Sequence, residues 1–119
     1  MPCRIKNSMG TISIDNEVVA RIAGLAAMEC YGVVGMATKN VKDGLVHLLK
    51  MESLTRGIKL KNENEVVNID LHIIAEYGTN IAAVSESLMT AVKYKLGDMT
   101  GINVGQVNVF VEGLRVNGK

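Results

Sequence analysis

The spacing of apolar and polar residues changes period twice between Val66 and Val111. Val67, Ile69, Leu71 and Ile73 alternate with Asn68, Asp70 and His72, the period of two that marks a half-buried strand. From Thr79 the period becomes helical, with Ile81, Val84, Leu88, Val92 and Leu96 on one face and Glu86, Ser87, Thr90 and Lys93 on the other. Thr79 or Asn80 offers a side-chain oxygen to the first turn. Lys93 and Lys95 lie near the negative end of the helix dipole, and Gly97 is expected to close the helix in the left-handed conformation. The period of two then returns with a break in phase. Ile102 and Val104 share one parity and Val107, Val109 and Val111 the other, which predicts a bulge at Gly105-Gln106.

The first half reads in the same way. Residues 1–8 are expected to fray, as are residues 115–119 at the other end. Gly10-Thr11-Ile12-Ser13-Ile14 predicts a strand with Ile12 and Ile14 inward. Asp15 is placed to cap a helix whose first turn holds Glu17 and whose inward face is Val18, Val19, Ile22, Leu25 and Ala26. Ala20, Ala23, Gly24 and Ala27 on its remaining sides suggest the close approach of another element. Gly32 ends the helix, and Val33 to Ala37 form a short apolar strand. Residues 38–57 read either as a short helix capped by Asp43, with Leu45, Val46, Leu48, Leu49 and Leu54 on its face, or as a partly ordered loop. Ile58 and Leu60 alternate with Lys59 and Lys61. Asn62-Glu63-Asn64-Glu65 is a turn joining that strand to the next in an antiparallel hairpin.

These elements predict a two-layer α+β domain over residues 1–119, in the order β-α-β-(α)-β-β-α-β, with a mixed sheet and its helices on one face. A chain of 119 residues that is 48% apolar can bury one core without disulfide or metal. With aromatics at only 3%, that core is aliphatic. A net charge of +1 gives no electrostatic case for nucleic acid or for an anionic membrane. Cys3 and Cys30 fit neither a disulfide framework nor a zinc site. The first residues lack the apolar run of a signal peptide, and no segment nears the roughly 20 apolar residues of a membrane span. A cytoplasmic location is expected, without membrane insertion.

The candidate chemistry is sparse. Asp70 and His72 project from one strand face, a spacing that suits an acid–base or metal pair, although a solvated sheet face explains them equally. His47 sits among leucines as an ordinary helix-edge histidine. Cys30 ends a helix, where a thiol's pKa rises, and Cys3 lies in a tail without a base. Tyr77-Gly78-Thr79-Asn80 opens a helix and could hold an anion, or simply be a turn and a cap. Arg56, Lys59 and Lys61 form a small basic edge, but few aromatics accompany it of the kind RNA modules stack on bases. Phe110 and Ile74 share the otherwise polar parity of their strands. They are read as an exposed apolar spot for a partner or a second copy, or else as the floor of a third layer from the chain's own loop.

The order of these segments carries a resemblance. Gly10-Thr11-Ile12-Ser13-Ile14, the helix with Val18-Val19, and Gly32-Val33-Val34-Gly35-Met36 resemble the opening of the alkaline shock protein family. Val67-Asn68-Ile69-Asp70-Leu71, Tyr77-Gly78, Met99-Thr100-Gly101-Ile102 and Val107-Asn108-Val109-Phe110-Val111 resemble its later stretches in sequence, so the likeness runs from Gly10 to Leu114. It implies a small α+β domain with no catalytic residues and no cofactor, from Gram-positive bacteria. The family is linked to envelope stress response and homeostasis through self-association and protein partners. Those partners would be a membrane-proximal protein or, for short members, a fatty-acid-kinase-like protein. The expected function is therefore a non-enzymatic interaction or scaffold protein. The alternatives are a small nucleic-acid-binding module and a metal-dependent enzyme using Asp70 and His72.

Overall fold

A computed structural model describes residues 3–37, 57–63 and 65–116. Its organising element is a strand, β5 (Val66–Glu76), paired along both edges. One edge carries β6 (Val104–Arg115) in parallel. The other edge is shared end to end by β4 (Ile58–Glu63) and β3 (Val33–Met36), both antiparallel to it. Where those two meet, the His72 carbonyl accepts from the Ala37 N–H at 2.9 Å, and the His72 N–H donates to the Gly57 carbonyl at 2.7 Å. The sheet is mixed, as the alternation predicts. Its antiparallel β4–β5 pair follows from the turn at Glu65 (φ 68°) and its parallel β5–β6 pair from the helical crossover.

That crossover is α2 (Ile81–Thr100), which buries Val84, Leu88, Val92 and Leu96 along one stripe. The Asn80 side chain accepts from the Ala83 N–H at 3.1 Å and caps the first turn. Ile81 is 39% exposed rather than inward, because the first turn overhangs the end of the core. Gly97 does not end the helix, which continues for one more turn. Gly101 closes it at φ 77° with its N–H on the Gly97 carbonyl. The extra turn carries the chain to where Ile102 enters the core, 6% exposed.

The first helix, α1 (Asn16–Met28), is rotated from the expected face. Val19, Ala20, Ala23, Gly24, Ala26 and Ala27 are buried, whereas Val18 and Leu25 are 47% and 43% exposed. Packing against α2 and the sheet favours the side with small residues, where backbones approach closely, and Ile22 lies at the boundary, packed on the core. Asp15 holds the N-cap position through its backbone carbonyl, without a side-chain bond.

Residues 1–8 do not fray as a whole. Cys3–Asn7 form β1, antiparallel to β2 (Gly10–Ile14) in a separate two-stranded ribbon. Asn7 Oδ1 closes its turn by accepting from the N–H groups of Met9 and Gly10 at 2.8 and 3.1 Å. The ribbon is rooted by Cys3, 2% exposed, whose Sγ lies 3.4 Å from Asn62 Oδ1 on β4. Ile12, expected inward, is 49% exposed, because its rung with Ile5 lies nearer the ribbon's tip than the Cys3–Ile14 rung that packs on the core. At the far end β6 runs through Arg115, whose carbonyl accepts from the Tyr77 N–H at 2.9 Å. The reading of residues 38–56 as helix or loop, together with His47 and Arg56, lies outside the described residues.

The core is aliphatic, led by Met36, Ile69, Leu71, Ile73, Leu88, Leu96, Val19 and Val92. Full burial of each such side chain stabilises the fold by about 1.5–3 kcal/mol. The architecture is the expected α+β fold, and among the described residues both helices pack on one side of the four-stranded sheet.

Candidate functional site

Alternation along β5 sends Asn68, Asp70, His72 and Ile74 to the face opposite the helices, and register places β6 beside them. The predicted bulge is present: β5 advances two residues from Val67 to Ile69 while β6 advances three, from Val104 to Val107. Asn68 fills the irregularity, its Oδ1 accepting from the Gln106 N–H at 2.8 Å. The shift brings Asn108, Phe110 and the residues of β5 into paired rungs. Asn108 Nδ2 donates to Asp70 Oδ1 at 2.9 Å. The His72 ring stacks on Phe110, with centroids 4.8 Å apart and planes 14° from parallel. His72 Nδ1 also meets Glu112 Oε2 at 2.8 Å, a hydrogen bond in the neutral ring and an ion pair when it is protonated.

Asp70 and His72 thus lie on one face, as read from the sequence, but each bonds a different residue of β6 rather than the other. Among the described residues no group of three or more His, Cys, Asp or Glu is placed to hold a metal ion. Glu112 is the member that the sequence reading missed. It stands two residues beyond Phe110, which lies opposite His72, and so reaches the ring on the diagonal, a contact that depends on the register of β5 and β6 and that side-chain alternation does not reveal.

Phe110 and Ile74 share the face but differ in access. Phe110 is 43% exposed, whereas Ile74 is 4% exposed, with Gly113 lying over its Cδ1. The expected exposed apolar spot is carried by Phe110. Lys59 and Lys61 on β4, across β5 from Phe110, are exposed and paired in register with Asp70 and Asn68, so the face carries both signs of charge.

The remaining candidates have ordinary structural roles. Thr79 Oγ1 donates to the Glu76 carbonyl at 2.8 Å and Asn80 caps α2, which gives Tyr77–Asn80 the turn-and-cap reading. Cys3 is buried in β1 rather than lying in a tail. Burial raises its thiol pKa, and it does the same for Cys30, with a smaller rise from the Glu29 carboxylate. Both thiols favour the unreactive protonated form.

Fold and face together define an α+β domain whose sheet surface away from α1 and α2 is a ladder of cross-strand polar and aromatic pairs. Residues 4–116 match the alkaline shock protein 23 family, described as having a cell envelope-related function, and the chain belongs to that family. It is 44% identical over 117 residues to the uncharacterized protein YloU of Bacillus subtilis, covering 98% of each chain. It is 32% identical over 120 residues to the uncharacterized protein Spy1614 of Streptococcus pyogenes, covering 100% of this chain and 99% of the relative. A stress response regulator gls24 homolog of Streptococcus pyogenes is 30% identical over 109 residues, 89% of this chain and 59% of the relative. No solved structure matches the chain. Among the described residues no helix is long and apolar enough to cross a membrane.

Proposed function

We propose that this chain is a non-enzymatic interaction protein of the cell-envelope stress response, working by contact through the open face of its sheet. The observation that carries the reading is Phe110: an aromatic ring 43% exposed on a face where its neighbours are polar, held flat by the His72 ring. A solvated sheet face has no need of such a residue. A ring already ordered by stacking loses little freedom when a partner covers it, which favours an anchor role. The partner class, a membrane-proximal or fatty-acid-kinase-like protein, comes from the family resemblance. It would hold a cytoplasmic chain near the membrane without inserting it.

Phe110→Ser tests the reading. As an interface anchor, Phe110 should contribute about 2 kcal/mol or more of binding. Proteins recovered with the tagged wild type from its native cell should be lost with Phe110→Ser, while circular dichroism of the variant stays native. Unchanged recovery by a folded variant would place the contact elsewhere, and unfolding would make Phe110 a core residue.

A further inference from the structure

β6 has a partner on only one side. β5 occupies one edge from Val67 to Glu76, and among the described residues no strand lies along the other. An edge strand points unpaired N–H and C=O groups outward, and natural proteins usually blunt long edges with charged residues, Pro, bulges or brevity. β6 is 12 residues long, and between its two bulges the run Val107–Val111 carries neither a charge nor Pro. Val109 and Val111 are only half-buried, whereas their β5 neighbours Leu71 and Ile73 are fully buried. The apolar side of the sheet therefore continues past its cover towards this edge.

The order of residues on β6 has a symmetry that pairing with β5 does not call for. About Val109 as centre, Asn108 mirrors Phe110, Val107 mirrors Val111, Gln106 mirrors Glu112, Gly105 mirrors Gly113 and Val104 mirrors Leu114. The innermost pair sets an amide against an aromatic ring; outside it apolar meets apolar, glycine meets glycine, and an amide meets a carboxylate. The irregularities obey the same symmetry, one at Gly105-Gln106 and the other at Glu112. In a twofold contact residue i meets j and j meets i, so a strand that pairs with itself must be complementary to itself about its centre. Directly opposed residues in an antiparallel pair share a face. The valine pairs would then lie on the helix side and the Gln106–Glu112 pairs would set no like charges against each other.

We propose that the outer edge of β6 pairs antiparallel with β6 of a second copy about a twofold axis at Val109, joining the two four-stranded sheets into one. This deepens the proposed contact function by naming one partner and its edge, and it rests on that reading only in treating the chain as an assembling protein.

Cysteine variants oxidised with copper phenanthroline and mapped by mass spectrometry read the register. Val109→Cys sets two thiols opposite each other, within the Cα separation of about 4.4–6.8 Å that a disulfide spans, and should give a covalent dimer joined 109 to 109. Asn108→Cys mixed with Phe110→Cys should join 108 to 110 in preference to either homodimer, because like positions lie on a diagonal of about 7–8 Å. Met9→Cys, at the hairpin tip, should stay monomeric. In sedimentation the wild type should approach twice the 12.8 kDa chain mass with rising concentration, and Val109→Lys should not. A wild type that stays monomeric at its highest soluble concentration, or cross-links in another register, overturns the pairing. A monomer whose partner capture still depends on Phe110 would overturn the pairing alone. Undiminished capture by Phe110→Ser, with the 109 cross-link intact, would instead support the pairing and overturn the proposed function.

Discussion

Gly101 and Gly78 show how much a single residue type fixes at the ends of α2. Both have positive φ, 77° and 100°, where an L side chain crowds the neighbouring carbonyl. Space is not the constraint. A Cβ on Gly78 would meet nothing within 4 Å, and one on Gly101 would reach only Ile5 Cδ1, at 3.7 Å. Gly78→Ala and Gly101→Ala should each lower stability by about 1–2 kcal/mol through the backbone alone, measured by denaturant titration. Asn in place of Ala should restore part of the loss, because Asn tolerates the left-handed region better. A Gly-to-Ala gain at either site would show that the conformation is not held. The sequence made both glycines visible but assigned the helix end to Gly97. That error is physical in origin: helix interiors tolerate a glycine at a cost of about 1 kcal/mol, so position alone does not separate it from a cap.

At the scale of elements, a strong period was legible and an orientation was not. α2 repeats one apolar residue every four, so its buried stripe was fixed by spacing. α1 has apolar residues on nearly every side, and its inward face was decided by what it packs against. Its small side faces in and Val18 and Leu25 face out. Ala23→Leu should therefore overpack the helix contact and cost about 1–3 kcal/mol, whereas Leu25→Ser should change stability by no more than about 0.5 kcal/mol. The opposite ranking in thermal melts would restore the face built on Leu25. β1 escaped the reading for a related reason. Cys3-Arg4-Ile5-Lys6-Asn7 alternates correctly, but with only Cys3 and Ile5 on its inward face it leaves little apolar pattern to distinguish it from a tail. The pairing of His72 with Glu112 was illegible because register is set by two bulges and a helical crossover, which no local spacing encodes.

At the scale of the whole molecule, the strands around β5 differ in how much chain must close before they can pair. The β4–β5 hairpin closes over the two residues between Glu63 and Val66. β6 can join only after the intervening α2 has been placed, and β3 only after the chain from Ala37 to Gly57 has returned. Short closures form first because their entropy cost is small. The same strand is thus the first to find a neighbour and, with bonds along both edges, the last to be released. In pulse-labelled refolding, amides of Ile58–Glu63 and of the Val66–Leu71 half of β5 should gain protection before those of Val33–Met36. In the native state the slowest deuterium exchange should fall on β5. Earlier protection of β3 would place the nucleus across the long closure. The order also bears on synthesis. Of the described strands a ribosome makes β6 last, so its outer edge is absent while the others emerge, and the segment most able to pair with another chain is exposed for the shortest time.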